Sequence, residues 1–260
     1  MILPAQKKLP FYQFRLLENF AGEIDHAVFT RHGGVSDEPY NSLNVRFTIG
    51  DDEAHVKKNR ELLCETMGIS VDQLVSANQT HSDYVQIIDS DFMASHKPQT
   101  ELSDIDAFIS QMKNVVCMIQ VADCQAQIFY DPEHAAFGII HAGWKGLVKD
   151  IGGATLKKMS ATFGTDSAKV FVGIAPSLGP CCAQFSDPMN ELPKNFHKFI
   201  DENKRVNLWK FSREQLQSHG IKSENIELTE QCTQCQGDDF FSYRRDKGIT
   251  GRFGVVAYLK

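Results

Sequence analysis

The chain has 260 residues, of which 42% are hydrophobic, and its formal net charge at pH 7 is −6. This length and apolar content suffice for one large core, so we expect residues 1–260 to form a single domain. The acidic balance excludes a general attraction to nucleic acid or anionic lipid, and no apolar run approaches the roughly 20 residues that span a bilayer. We expect a soluble monomer without nucleic-acid or membrane partners.

The predicted elements follow hydrophobic periodicity and turn residues. Asp51 or Asp52 predicts the cap of a helix that runs to Met67, with Gly68 as its stop. A dense group of strands is predicted after it, and the remaining segments alternate between helix and strand. The predicted strands are 26–30, 74–77, 84–88, 105–110, 115–121, 125–130, 135–141, 169–174 and 252–259, and the later helices are 147–163, 195–200 and 212–219.

Cysteine usage indicates a reducing compartment. The chain contains seven cysteines, an odd number, and the segment from Met1 to Lys8 has no apolar signal core. The sequence therefore predicts a cytoplasmic protein.

Three residues with metal-ligand side chains, His81, Cys124 and His141, each lie beside a strand-like run. A lone buried His or Cys is more often structural, and these three are too far apart in sequence for a zinc finger. Two imidazoles and one thiolate suit zinc, with a fourth position open for chemistry. The pattern therefore predicts a catalytic zinc site gathered by folding from strand ends.

Four motifs that occur in order carry a resemblance to a known family. They are Thr30-Arg31-His32-Gly33-Gly34-Val35-Ser36, Ala122-Asp123-Cys124, His141-Ala142-Gly143-Trp144 and Phe241-Ser242-Tyr243-Arg244-Arg245. The chain resembles the laccase-domain polyphenol oxidase family, whose members act as purine nucleoside phosphorylases. The resemblance extends from about His26 to Lys260.

The resemblance implies an α+β fold, a single domain with a central β-sandwich-like mixed-sheet core flanked by helices. It implies zinc bound by residues that match His81, Cys124 and His141, and phosphorolysis of adenosine, inosine, guanosine or methylthioadenosine. Some members of the family also deaminate adenosine, a reaction that an open-site zinc explains by activating water.

Candidate substrate-binding and catalytic residues surround the predicted ligands. The guanidinium fork suits phosphate, so arginines are the leading phosphate candidates, although surface ion pairing is an equally common role. Asp123, beside a ligand, is expected to orient an imidazole or to act as an acid or base, and Asp106 is a weaker candidate for the same work. The substrate and phosphate candidates are Asn44, Arg46, Arg60, Gln79, Arg244 and Arg245.

Other motifs favour structural roles. Cys232-Thr233-Gln234-Cys235 has the spacing of a zinc knuckle, but no second pair with that spacing follows, and Cys181-Cys182 suggests packing. Trp144 and Tyr243 are more typical of core anchors than of purine stacking. The chain departs from the family pattern at Gln125-Ala126, Lys145 and Ala183, which leaves its substrate preference open.

Three alternative functions remain open. A copper polyphenol oxidase would use the same two imidazoles and thiolate, but the nine histidines include no His-x-His. A metal-free cysteine hydrolase would use Cys124 as nucleophile and His141 as base, which leaves His81 without a role. The third alternative is a non-catalytic protein that binds nucleosides or cell-wall intermediates.

Overall fold

The structure, a computed structural model, describes residues 8–260. The first residues of the predicted domain, where no signal core is expected, lie outside the described residues. The described part of the chain contains twelve strands: β1 (Phe11–Tyr12), β2 (Ile24–Phe29), β3 (Leu74–Asn78), β4 (Val85–Ile87), β5 (Glu101–Ser103), β6 (Ala107–Ser110), β7 (Val116–Val121), β8 (Gln125–Asp131), β9 (Ala136–Ala142), β10 (Phe171–Ile174), β11 (Ile226–Leu228) and β12 (Phe253–Leu259).

These strands form two mixed sheets of six strands each. The first sheet has the order β1-β2-β12-β7-β3-β5, and the second has the order β11-β10-β8-β9-β6-β4. Consecutive strands β7 and β8 belong to different sheets, so the chain crosses between the sheets at Ala122–Cys124. This crossing brings the end of one sheet beside the start of the other.

Alternation along the strands places one core between the sheets and one on each outer face. On β12, Val255 belongs to the core between the sheets, whereas Val256 belongs to an outer core. On β8, Ile128 and Tyr130 belong to the central core and Phe129 to the opposite outer core. The molecule is therefore a sandwich whose two outer faces are covered.

Helices supply those covers. There are seven α-helices among the described residues: α1 (Arg15–Glu18), α2 (Glu53–Met67), α3 (Ser90–Ser95), α4 (Trp144–Val148), α5 (Ile151–Phe163), α6 (Pro188–Glu191) and α7 (Leu208–Ser218). Short 3-10 turns lie at Val71–Gln73, Ser167–Lys169, Lys194–Phe199 and Ser223–Asn225. Leu63 of α2 covers the first sheet, and Leu156 of α5 and Leu216 of α7 cover the second.

The ends of α2 follow from capping residues, as predicted. The Asp52 side chain accepts a hydrogen bond from the Ala54 N–H at 2.8 Å, which satisfies one of the free donors of the first turn. Gly68 ends the helix in a left-handed conformation with φ of 73°. A single predicted helix at 147–163 is wrong in one respect, because the chain breaks between α4 and α5 at Asp150, whose φ is 61°.

The predicted fold class is confirmed: an α+β domain in which two mixed sheets form a sandwich between helices. Within residues 8–260 we find no helix with the length and apolar character that crossing a bilayer requires.

Candidate metal centre and the cavity around it

The three predicted metal ligands meet at one end of the sandwich. His81 follows β3 of the first sheet, and His141 lies within β9 of the second. Cys124 lies at the crossing from β7 to β8. One donor atom from each side chain lies within 4.8 Å of the other two. Folding therefore brings together the group that the sequence separates.

The spacing of the donor atoms fits a tetrahedral zinc ion. Cys124 Sγ lies 3.6 Å from His81 Nε2. Zinc–sulfur bonds of about 2.3 Å and zinc–nitrogen bonds of about 2.05 Å give a ligand-to-ligand edge of about 3.5 Å in a tetrahedron. Three protein ligands would leave the fourth position for water or substrate, as in catalytic zinc sites.

Gly143 leaves room for this group. A Cβ atom at this position would lie 2.8 Å from His81 Nε2 and 2.9 Å from Cys124 Sγ. Any side chain would therefore push both donor atoms away. The His141-Ala142-Gly143-Trp144 motif therefore requires glycine at position 143, because the backbone there passes close to the donor atoms of His81 and Cys124.

Asp106 organises two of the three ligands. Its buried carboxylate accepts hydrogen bonds from the backbone N–H groups of Thr80, His81 and Ser82 at 3.2, 3.0 and 2.7 Å. His81 has a φ of 62°, a conformation rare for a side-chain-bearing residue, and these bonds hold it. The same carboxylate lies 2.7 Å from His141 Nδ1, which leaves Nε2 of that ring for the metal.

The charges at the centre favour a thiolate. Burial raises the pKa of Cys124. The neighbouring His141 and His81 lower this pKa by more than burial raises it, so the net value is about 6. Burial likewise lowers the pKa of His141, but the Cys124 sulfur and Asp106 raise it more. Thiolate is the form of cysteine that binds metals and also the form that acts as a nucleophile, so both metal and hydrolase chemistry are compatible with this pair.

Asp123 does not touch either imidazole, so the orienting role predicted for it belongs to Asp106. The φ of Asp123 is 85°. The Asp123 carboxylate accepts hydrogen bonds from Thr233 Oγ1 at 2.7 Å and from the Arg244 N–H at 2.6 Å. Asp123 still lines the cavity beside Cys124. Asp106, in the Asp104-Ile105-Asp106 segment before β6, was the weaker of the two sequence candidates for this role.

A cavity of about 490 Å³ opens onto the metal centre. This volume lies in the range of about 300 to 1,000 Å³ that small-molecule sites occupy. The side chains that line it include the candidate ligands, a set of cationic groups and aromatic rings. The cationic groups are Arg46, Lys145, Arg244 and Arg252, and the rings are Trp144, Phe185 and Tyr243.

Two of these cations, Arg46 and Arg252, form a pair. The pKa of Arg252 is lowered by burial and by repulsion from Arg46, while the negative charges of Cys124 and Asp123 partly oppose this shift. Two guanidinium groups that line one small-molecule cavity favour an anion there. Arg252 is a functional candidate that the sequence reasoning missed, because it was read only as the first residue of the closing strand.

Asn44 positions this arginine pair from the interior. Its side-chain oxygen accepts from the backbone N–H groups of Arg46 and Arg252 at 3.1 and 2.9 Å, and its Nδ2 donates to Asp51. Asn44 has no exposed surface. The structure therefore gives it a supporting position, in place of the direct phosphate contact that was predicted.

Arg60 does not reach the cavity. Its guanidinium is 1% exposed and donates to Val45 O, Ser76 Oγ and Glu101 Oε1, the last at 2.7 Å. Burial lowers its pKa to about 10 although Glu101 opposes the shift. A buried cation paired in this way has no donor directed at a phosphate in the cavity.

Arg245 and Gln79 are also engaged by the protein. Arg245 makes two bonds to Asp246, at 2.8 and 2.9 Å, and does not line the cavity. Gln79 lines the cavity, but its amide both donates to and accepts from the backbone of Gln120 at 2.9 Å. These contacts indicate bracing roles for both side chains.

Comparisons with known proteins find similarity over most of the chain. The family model described as multi-copper polyphenol oxidoreductase laccase matches residues 25–260. "Purine nucleoside phosphorylase YlmD" of Bacillus subtilis (strain 168) is 32% identical over 88% of this chain and 86% of its own. "Adenosine deaminase RL5" of an unknown prokaryotic organism is 28% identical over 93% of this chain and 97% of its own.

A solved structure shares the whole architecture. The crystal structure of the hypothetical protein YfiH of Bacillus licheniformis superposes with a TM-score of 0.89, at 28% sequence identity. The match covers 99% of both chains.

Proposed function

The chain belongs to the multi-copper polyphenol oxidoreductase laccase family. Within this family, we propose that it is a zinc-dependent purine nucleoside phosphorylase. The name of the Bacillus subtilis relative supports the activity. The proposed substrates are phosphate and a purine nucleoside: adenosine, inosine, guanosine or methylthioadenosine. The products would be the free base and a sugar 1-phosphate.

One observation carries the proposal: a single cavity contains both the His81, Cys124 and His141 group and the Arg46–Arg252 pair. A metal centre with an open position and an anion site within one small-molecule cavity supply the two kinds of binding that phosphate and a nucleoside need. The copper oxidase alternative requires neither a second guanidinium nor an anion site.

We propose zinc at this centre because of its donor atoms. The described residues offer two metal-ligating groups, one of two histidines with a cysteine and one of four cysteines. Neither provides the several histidine-rich sites of a multi-copper oxidase, and both suit zinc. A bound zinc ion would supply Lewis-acid chemistry toward water or a substrate oxygen.

The protein's own side chains would carry the phosphorolysis. Arg46 and Arg252 would hold hydrogen phosphate so that one of its oxygens forms a bond to the sugar C1′ as the bond from C1′ to the purine breaks, and the proton that the phosphate releases would pass to the departing purine nitrogen. Asp123, whose carboxylate lines the cavity wall, would accept a hydrogen bond from an N–H group of the base. Trp144 and Tyr243 would offer ring faces to the purine.

Adenosine deamination is the second candidate. The 28% identical deaminase covers nearly the whole chain, and its name supports water as an alternative nucleophile at the same centre. This reaction needs an activated water but no anion site, so the Arg46–Arg252 pair favours phosphorolysis as the main route.

Product identification tests the proposal. Purified protein is incubated with adenosine, with and without inorganic phosphate, and the products are identified by mass. We expect adenine and ribose 1-phosphate only when phosphate is present. Inosine would indicate deamination, and adenine with free ribose in the absence of phosphate would indicate a hydrolase. Unchanged adenosine after hours of incubation would contradict a nucleoside-converting enzyme.

A further inference from the structure

Four cysteines outside the catalytic cavity come together on the surface of the domain. Two follow β10 in the loop that contains Cys181 and Cys182, and two lie between β11 and β12, at Cys232 and Cys235. The four sulfur atoms all lie within 4.8 Å of one another. Cys235 Sγ is 3.6 Å from Cys181 Sγ and 3.5 Å from Cys182 Sγ.

Backbone pairing explains why these two segments meet. Strands β10 and β11 are parallel neighbours, so the chain leaves both at the same edge of the second sheet. The pairing continues beyond the strands, where the Ser177 N–H donates to Gln231 O and the Thr233 N–H donates to Ser177 O, both at 3.1 Å. The convergence of the cysteines is therefore fixed by the sheet and not by the side chains alone.

The environment of Cys232 is arranged for a thiolate. The Gly179 N–H donates to its sulfur at 3.3 Å. A Cβ atom at Gly179 would lie 3.0 Å from the Cys232 Cβ, so glycine permits this approach. Backbone donors directed at a cysteine sulfur stabilise its negative charge, as metal-binding sulfurs require.

The sulfur positions match one small ion. Four zinc–sulfur bonds of about 2.3 Å give sulfur-to-sulfur edges of about 3.8 Å in a tetrahedron, whereas a disulfide needs about 2.05 Å. The observed separations of 3.5 and 3.6 Å lie near the tetrahedral edge. The 4.8 Å limit on the whole set leaves no room for a wider iron–sulfur cluster among the four sulfurs.

We propose that a closed structural zinc site joins the two segments, with ligands Cys181, Cys182, Cys232 and Cys235. The Cys232-Thr233-Gln234-Cys235 spacing supplies one half of the site. The adjacent Cys181-Cys182 supplies the other half. These two cysteines do not share the spacing of Cys232 and Cys235, so the sequence pattern does not mark them as a second ligand pair.

Charge around the cluster suits such a site. Four thiolates and Zn²⁺ carry a net charge of −2. Arg205 Nη1 donates to the carbonyl of Cys181, and Arg244 Nη1 donates to the carbonyl of Cys182, each at 3.3 Å. Two cations held on the ligand backbone offset that charge at the rim of the site.

The site would stabilise one wall of the catalytic cavity. Thr233, between two of the ligands, donates to Asp123 at 2.7 Å, and Arg244 lines the cavity. The proposal nevertheless does not rest on the proposed activity. A zinc clip at this position is equally compatible with phosphorolysis, deamination or a binding function.

Zinc counting on variants tests the proposal. Protein purified under reducing conditions is analysed for zinc by mass spectrometry, and the wild type should contain two ions per chain, one for each ligand group. We expect Cys235→Ser and Cys181→Ser to lose one ion and Cys64→Ala, a buried cysteine outside both groups, to lose none. An unchanged zinc count in both serine variants would overturn the proposal.

A second measurement keeps the test informative if the serine variants do not fold. His81→Ala disables the catalytic group and should retain one zinc ion, whose X-ray absorption fine structure should show four sulfur neighbours at about 2.3 Å. A His81→Ala protein without zinc, or with nitrogen in the zinc shell, would contradict the site. So would a disulfide among the four cysteines in alkylated, unreduced protein.

Discussion

The hydrogen atom of Gly143 occupies the space that a methyl group would need beside the metal centre. Gly143→Ala would place a carbon 2.8 Å from His81 Nε2 and 2.9 Å from Cys124 Sγ, and both donors would have to move. We expect zinc affinity to fall by about 10- to 100-fold, the range found when the support of a metal ligand is lost. Competition with a chromogenic chelator measures this affinity.

Gly146→Ala is the matched control for that substitution. Its added carbon would meet Ile151 Cγ2 at 3.4 Å and the His141 carbonyl at 3.5 Å, which are ordinary contacts. Alanine also suits a position within α4. Equal zinc affinity in the two variants would show that Gly143 does not shape the centre.

Arg252 gives a test of the anion site. In Arg252→Gln the guanidinium fork is lost, and in Arg252→Lys the charge remains without the fork. We expect the phosphate KM to rise by at least about tenfold in the glutamine variant, because a charge-assisted hydrogen bond contributes about 1.5 to 3 kcal/mol. The rise should be smaller with lysine. The adenosine KM should change less in both.

Arg245→Gln tests whether phosphate is bound by Arg252, as the structure indicates, or by Arg245, as the sequence predicted. Arg245 is paired with Asp246 outside the cavity. If Arg245→Gln raised the phosphate KM and Arg252→Gln left it unchanged, the Arg46–Arg252 anion site would be refuted. Steady-state kinetics at fixed adenosine and varied phosphate provide both values.

Individual residues show where sequence reasoning stops. Donor chemistry and positions beside strands single out His81, Cys124 and His141 as candidate ligands, and the structure brings the three together. Asp123 looks like their partner because it is adjacent to Cys124, but a left-handed backbone conformation directs its carboxylate to Thr233 and Arg244. Asp106 takes the role instead, 35 positions from His141 in sequence. Adjacency in sequence does not fix side-chain direction at a turn.

Among the secondary-structure elements, β2 is tied to the segment before α1 by a buried histidine. The Phe14 N–H donates to His26 Nε2 at 2.7 Å, so the ring must stay neutral at that nitrogen. Burial lowers the pKa of His26 to about 4, while the charges of Asp25 and Glu227 partly oppose the shift. The ordinary value is about 6.5 in an unfolded chain.

This histidine should make stability depend on pH. Between pH 6.5 and 4 the unfolded chain binds a proton at His26 and the folded chain does not, so the free energy of unfolding falls as the pH falls. A shift of this size corresponds to about 3 kcal/mol. Urea unfolding of the wild type and of His26→Gln, which keeps an acceptor but does not titrate, isolates this contribution. Parallel stability curves for the two proteins would contradict it.

The bounds of a helix can be predicted from sequence when they depend on residues at its own ends. The bounds of α2 were predictable because Asp52 caps its first turn and Gly68 ends it, and both act on neighbouring backbone groups. The break between α4 and α5 was not predicted, because the Asp150 carboxylate at the break lies 2.7 Å from His219 Nε2, a contact that depends on where α7 ends. A Cβ atom at Gly152 would meet Leu216 of α7 at 3.2 Å, and one at Gly153 would meet His219 at 2.4 Å. Glycine is required at both positions by close contact with α7 and its end.

Considered as a whole, the molecule places its chemistry where the two sheets meet. The candidate ligands come from a loop after the first sheet, the crossing between the sheets, and a strand of the second sheet. The sandwich class was predictable from the resemblance that the family motifs carry. The Arg46–Arg252 pair and the four-cysteine cluster were not, because each joins segments whose relative position depends on strand order.

The most direct measurement is ribose 1-phosphate formation from adenosine and phosphate by protein stripped of metal, verified by elemental analysis, and then titrated with zinc. We expect turnover to fall at least tenfold on stripping and to return on zinc addition, whereas His81→Ala should not recover. Undiminished turnover by verified zinc-free protein would contradict a zinc-dependent phosphorylase.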